Sequence, residues 1–147
     1  MKQLNTSLLI TLLVIIWGFS PLISKKIYRS GINPITNMLF NTSFYLLAIL
    51  IVAYFNRKIV IEDIHKLDKN VLAMQFIFAL CFMFMGNYIN NYLIKHNDPS
   101  YITSMTSVSP VVTLIASYYL LNEPLTTNKI MGVVSIAIGV YFLNKKK

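Results

Sequence analysis

The sequence predicts an all-α integral membrane protein with five transmembrane helices, and three observations predict it. Of 147 residues, 56% are hydrophobic and 12% are charged, about half the usual share of roughly 25% in soluble domains. The mean hydropathy is +0.61. So few charges cannot cover the surface of a soluble domain, and so much apolar surface excludes intrinsic disorder. Four stretches without a single Asp, Glu, Lys or Arg are long enough to cross a bilayer core, which needs about 20 residues. Compact polar turns separate these stretches.

The first span covers residues 4–24. Lys2 ahead of an apolar run is loosely like a cleaved leader, with Gly18-Phe19-Ser20 as a small-residue site. Pro21 would follow the cut and the apolar run continues to Ile23, so a retained span is expected. Ser30-Gly31-Ile32-Asn33-Pro34 closes this helix with Gly and opens the next with Pro. The second span covers residues 34–55. The polar stretch 56–70 follows, in which Ile59, Val60, Ile61 and Ile64 suit a short interfacial helix. The third span is 71–94 and the fourth 101–121, with turns at 96–100 and 122–126. The fifth, 126–144, has an apolar core of only 14 residues, 130–143. At 1.5 Å per residue that core is about 21 Å long, against a bilayer core of about 30 Å. Snorkelling of Lys129 and Lys145 helps it to cross. No linker is long enough to separate two domains, so residues 1–147 read as one bundle.

The net charge of +8 excludes little by itself. Basic residues crowd the ends of membrane spans, so no nucleic-acid partner is inferred and the lipid bilayer is the expected one. Cys81 lies in an apolar run and reads as a small buried apolar side chain. No Cys/His cluster calls for a metal, and no cofactor is implied. No nucleophile–base pair is present, and His65 and His96 fall in loops, so no enzyme is expected.

Five crossings place Lys2, Arg57, Lys58, Lys66, Lys69 and Lys129 on one side, and Lys25, Lys26, Arg29, Lys95, Lys145, Lys146 and Lys147 on the other. That is six against seven, almost no orientation bias. If the short fifth segment did not cross, the count would become nine against four, a firm cytoplasmic N-terminus. A balanced chain could insert both ways and pair antiparallel, which two inverted halves of a transporter require. A failure of charge counting, or a host factor that fixes orientation, is the alternative.

From Asn91 to Leu143 the chain reads Asn-Tyr-Leu-Ile-Lys, then Tyr101-Ile-Thr-Ser-Met-Thr-Ser-Val-Ser-Pro110-Val-Val-Thr. Leu-Leu-Asn122-Glu123-Pro-Leu-Thr and Lys-Ile-Met-Gly132-Val-Val-Ser-Ile-Ala-Ile-Gly139-Val follow. This resembles the second half of an EamA-type unit of the drug/metabolite transporter superfamily. Trp17-Gly18, with Lys25 or Lys26 further on, is similar to the family's first helix. The resemblance spans nearly the whole chain, strongest from Pro110 to Gly139 and weakest between Phe44 and Phe84. It implies an EamA-like half-transporter bundle in the plasma membrane. Most members carry two such units and this chain carries one. A homodimer or a second half-transporter is therefore implied as partner, with a small-molecule substrate. Asn122 stands where Gly is usual, and Asn tolerates the left-handed turn.

Polar groups inside a membrane are costly, so each is a candidate for substrate binding. Asn37 and Asn41 share one face of the second helix. Asn87, Asn90 and Asn91 cluster near the end of the third, and Lys95 follows one turn on. Thr106, Ser109, Thr113 and Ser117 line a stripe of the fourth. Pro110 withholds a hydrogen bond from a carbonyl near Thr106. Together these residues could line a cavity at mid-membrane, with Trp17 beside it. Packing accounts equally well for Trp17 and better for any single Ser or Thr, which bonds its own backbone. Gly132 and Gly139, and similarly Gly86, read as close-packing surfaces. Tyr45, Tyr88, Tyr118 and Tyr119 read as belt or packing residues. Glu123 reads as a cap for the fifth helix. Asn5-Thr6-Ser7 and Asn41-Thr42-Ser43 match a glycosylation pattern, but lie beside or within the membrane.

The related small multidrug resistance proteins depend on a first-helix Glu for proton coupling, and this chain has no acid before Glu62. The expected substrate is therefore a polar or zwitterionic metabolite, moved by alternating access. The second reading is a non-transporting membrane scaffold or assembly subunit that retains the transporter fold.

Overall fold

A computed structural model describes residues 6–144. Lys2, Leu4, Asn5, Lys145, Lys146 and Lys147, used above for the first span, the charge count and the glycosylation pattern, lie outside the described residues. Those described form helices joined by short turns, with no strand among them: α1 (Thr6–Arg29), α2 (Pro34–Phe55), α3 (Arg57–Ile64), α4 (Lys69–His96), α5 (Pro99–Leu121) and α6 (Thr127–Asn144). The first two, α4 and α5 are long and apolar enough to cross a membrane, and α6 is a shorter apolar helix. At 18 residues, α6 is about 27 Å long.

Local chemistry explains the helix boundaries. Lys26 and Arg29 occupy the last turn of α1, where cations complement the helix dipole. Gly31 then takes φ +89°, which an L side chain resists. The Asn33 side chain accepts the Ile35 N–H at 3.1 Å, and Pro34 needs no partner for an N–H it lacks. Asp68 caps α4 by accepting the Val71 N–H at 2.7 Å. Asn122 closes α5 at φ 54°, the left-handed conformation expected of it. The Asn122 and Glu123 N–H groups both donate to the Ser117 carbonyl.

Two helices depart from regular α geometry. In α4, Phe78–Met85 is a π-helix between two α-helical parts. Its sequence, an unbroken apolar run, carries no Gly or Pro to announce it. Phe78 stacks on Phe82, and Phe84 on Tyr88, along this wide turn and its exit. In α5 the α-helix stops at Thr106 and restarts at Ser109. Pro110 cannot donate to the Thr106 carbonyl, and Val111 bonds back only three residues, to Val108 at 2.9 Å.

The chain divides into two compact units. One is Leu22–Lys95; the other combines the described parts of Met1–Pro21 and His96–Lys147. Tyr28, Asn37 and Ile94 are buried in the first, Ile102 and Val140 in the second. Pro34 is buried as well, and most other positions of the long helices are exposed, as is usual where lipid replaces a protein core. Three sequence expectations change accordingly. Cys81 is exposed rather than buried. A Cβ added at Gly86, Gly132 or Gly139 would meet nothing within 4 Å, so none of them packs closely against another part of the described residues. His96 ends α4 instead of lying in a loop.

Candidate functional site

The Leu22–Lys95 unit holds a polar relay built from three helices. Ser30–Pro34 turns tightly enough to set the last turn of α1 against the first turn of α2. Tyr28 and Asn37 therefore face each other, 6% and 5% exposed. The Asn37 Nδ2 donates to the Tyr28 hydroxyl at 2.9 Å. That hydroxyl donates to the Asn91 Oδ1 on α4 at 2.5 Å. One turn along α2, the Asn41 Nδ2 donates to the Asn37 Oδ1 at 3.4 Å. On α4, the Asn91 Nδ2 donates to the Asn87 carbonyl at 2.9 Å, and the Asn87 Nδ2 to the Met83 carbonyl at 2.7 Å. The half-buried Lys25 staples the same end of α4. Its ammonium donates to the Ile94 and Lys95 carbonyls, each at 3.0 Å, and so complements the negative end of that helix.

A cleft of about 380 Å³ opens over this relay. Asn41, Thr42, Asn87 and Asn91 form its polar side, while Met38, Tyr45, Ala79, Met83 and Phe84 form its largely apolar walls. Ala79, Met83 and Phe84 belong to the π-helix, a conformation that recurs at functional sites. The cleft starts within two turns of the helix ends at Asn91 and reaches Tyr45, halfway along α2.

The other unit holds a second cleft, of about 500 Å³, lined by Ser109, Thr113, Ser117 and Gly132 with the Glu123–Lys129 pair. Here the hydroxyls turn back onto their own helix. Thr113 donates to the Ser109 carbonyl at 3.2 Å and Ser117 to the Leu114 carbonyl at 3.2 Å. Thr106 donates to the Ile102 and Thr103 carbonyls. Glu123 pairs with the Lys129 ammonium at 3.2 Å and does not cap α6. Thr126, directly before the helix, takes that role by accepting the Lys129 N–H at 3.3 Å. Among the described residues no three His, Cys, Asp or Glu gather to hold a metal.

The model of the EamA-like transporter family matches residues 4–145. The chain belongs to this family. It is a multi-pass integral membrane protein of transporter type. An uncharacterized protein of Methanocaldococcus jannaschii is 23% identical over 142 residues, which cover 96% of this chain and 98% of that one. The two are thus of nearly equal length. No solved structure matches the chain.

For this EamA-like chain, the candidates separate into two sets. Asn37, Asn41, Asn87 and Asn91 come together in one unit. Thr106 and Ser109 belong to the other, and neither unit alone holds both sets. Trp17 is 68% exposed. Asn90, on the same turn as Asn91, is exposed. Sequence reasoning missed Tyr28, the hub of the relay. A signal was present: Tyr28 and Asn37 flank the Gly31/Pro34 turn by three residues each, so a tight helical hairpin must juxtapose them.

Proposed function

We propose that the protein is a transporter of a small polar metabolite, working by alternating access as a homodimer whose two copies insert in opposite orientations. The observation that carries this reading is the interhelical amide cleft of the Leu22–Lys95 unit in a chain of a transporter family. A membrane-embedded amide is costly unless bonded, and here three of them, Asn41, Asn87 and Asn91, line one opening, with Asn37 buried behind it. The balance of six basic residues against seven supports dual insertion, with α6 as a fifth crossing that tilts little and snorkels through Lys129. The archaeal relative of nearly equal length supports a transporter assembled from single-unit chains. The apolar walls beside Asn41 and Asn87, without an acid, favour neutral or zwitterionic cargo over cationic drugs.

The test has two parts. A C-terminal tag should be reachable from both faces of the membrane in comparable amounts, and one fixed orientation without a partner half would overturn the antiparallel assembly. Proteoliposomes should exchange labelled neutral amino acids or carboxamides. A protein that inserts, dimerises and moves none of them would instead be a scaffold that keeps the transporter fold.

A further inference from the structure

The direction of every hydrogen bond in the relay is fixed by two backbone carbonyls. A carbonyl oxygen only accepts, so the groups on the Met83 and Asn87 carbonyls are the Nδ2 atoms of Asn87 and Asn91. Asn91 must then turn its Oδ1 to Tyr28, whose hydroxyl donates to it. The Tyr28 oxygen is left to accept from the Asn37 Nδ2. Asn37 consequently offers its Oδ1, and Asn41 must use its Nδ2 to reach it. The chain of constraints ends in the cleft. Asn41 and Asn87 both line it, and among the described residues neither Oδ1 has a partner. The cleft thus presents two fixed amide oxygens, with the Thr42 hydroxyl beside them, against walls of Met38, Tyr45, Met83 and Phe84. No Lys, Arg, Asp or Glu lies among its lining residues.

We propose that this cleft selects a small neutral molecule bearing an amide N–H or hydroxyl donor on an apolar body, and that Tyr28 is the positioning residue that sets this preference. The proposal rests on reading the cleft as the substrate site. A full charge of either sign would be desolvated there without a counter-charge. A carboxylate would in addition face two carbonyl oxygens that the relay holds in place. A carboxamide fits on both counts, since its N–H groups meet those oxygens and its carbonyl meets the remaining N–H of either Asn. A site with fixed hydrogen-bonding groups discriminates more strongly than an apolar pocket, because the wrong ligand leaves those groups unpaired.

The test uses three probes with one ring and different ends: 2-phenylacetamide, phenylacetate and phenethylammonium. Binding is measured by equilibrium dialysis against the full chain in nanodiscs. The amide should bind at least about tenfold more tightly than either ion. Equal or tighter binding of an ion, or no saturable binding of any probe, overturns the proposal. Tyr28→Phe removes the hydroxyl that orders the amides, and should shrink the preference to about threefold or less. If it weakens all three probes alike, Tyr28 is only a structural prop and the positioning role fails. Asn87→Asp, on the exposed wall, guards against a Tyr28 variant that does not insert. It places an anion at the end of the relay and should turn the preference to phenethylammonium, whereas an unchanged order would contradict the site. Selective binding without flux would sustain this proposal while removing the transport reading. Flux of phenylacetate unaffected by Asn87→Asp would do the reverse.

Discussion

The two clefts differ in what their polar groups are bonded to. In the Leu22–Lys95 unit, Tyr28, Asn37 and Asn91 bond one another across α1, α2 and α4. In the other unit, Thr106, Thr113 and Ser117 bond carbonyls three or four residues back on α5. A hydroxyl has one proton to place, and the preceding turn of its own helix offers a carbonyl for it. An amide has two protons and an oxygen, and a helix surface cannot satisfy them all. Hydroxyls in a membrane helix therefore say little about tertiary structure, whereas clustered amides require it. The same contrast is the ground for proposing the site in the Leu22–Lys95 unit.

Substitutions can break this contrast or sharpen it. The largest effect is expected at Asn37, the buried centre of the relay. Asn37→Leu takes away the donor to the Tyr28 oxygen and the acceptor of the Asn41 amide, and should lower thermal unfolding stability in detergent by about 1–3 kcal/mol. A loss at the low end of that range would fit two lost bonds at the average worth of an interhelical hydrogen bond in membranes, about 0.6 kcal/mol. Next comes Asn122→Ala, which forces a side chain without local hydrogen bonds into a left-handed turn. It should cost about 1 kcal/mol by the same measurement, because α5 then ends less well. Smallest are Thr113→Val and Glu123→Gln in the second unit. The first removes a bond that only tightens its own helix. The second weakens an ion pair whose side chains are 42% and 49% exposed. Each should change stability by no more than about 0.5 kcal/mol. A Thr113→Val loss as large as that of Asn37→Leu would erase the distinction between the units.

Most of the architecture was legible in the sequence because the bilayer imposes a length and a composition on each span. The ranges 34–55 and 101–121 agree closely with α2 and α5, and the expected short helix after the second span is α3. Pro34, Asn122 and the hydrogen bond withheld at Pro110 were legible because each depends only on local backbone chemistry, whereas the break of the fourth span at 107–108 was not foreseen. The amide cluster was visible as two i, i+4 pairs. Its partner Tyr28 was legible only as the residue set opposite Asn37 by the Gly31/Pro34 turn, since its bond to Asn91 depends on how α1 and α4 meet. The π-helix of α4 left no trace because an apolar run fits either winding. Gly132 and Gly139 misled for a related reason. Small residues mark surfaces that permit close approach, and among the described residues no atom comes within 4 Å of a Cβ placed at either. Glu123 was read through the helix dipole, but an ammonium within reach is a stronger partner than a partial charge.

The central claim is that function follows the interhelical relay and not the hydroxyl stripe. Its most direct test compares two triple variants in the same proteoliposome exchange assay: Asn41→Leu with Asn87→Leu and Asn91→Leu, and Ser109→Ala with Thr113→Val and Ser117→Ala. Both should insert. The account predicts that the Asn variant loses at least about tenfold in flux while the hydroxyl variant stays within about twofold of the parent. Flux that survives in the Asn variant and fails in the hydroxyl variant would contradict it.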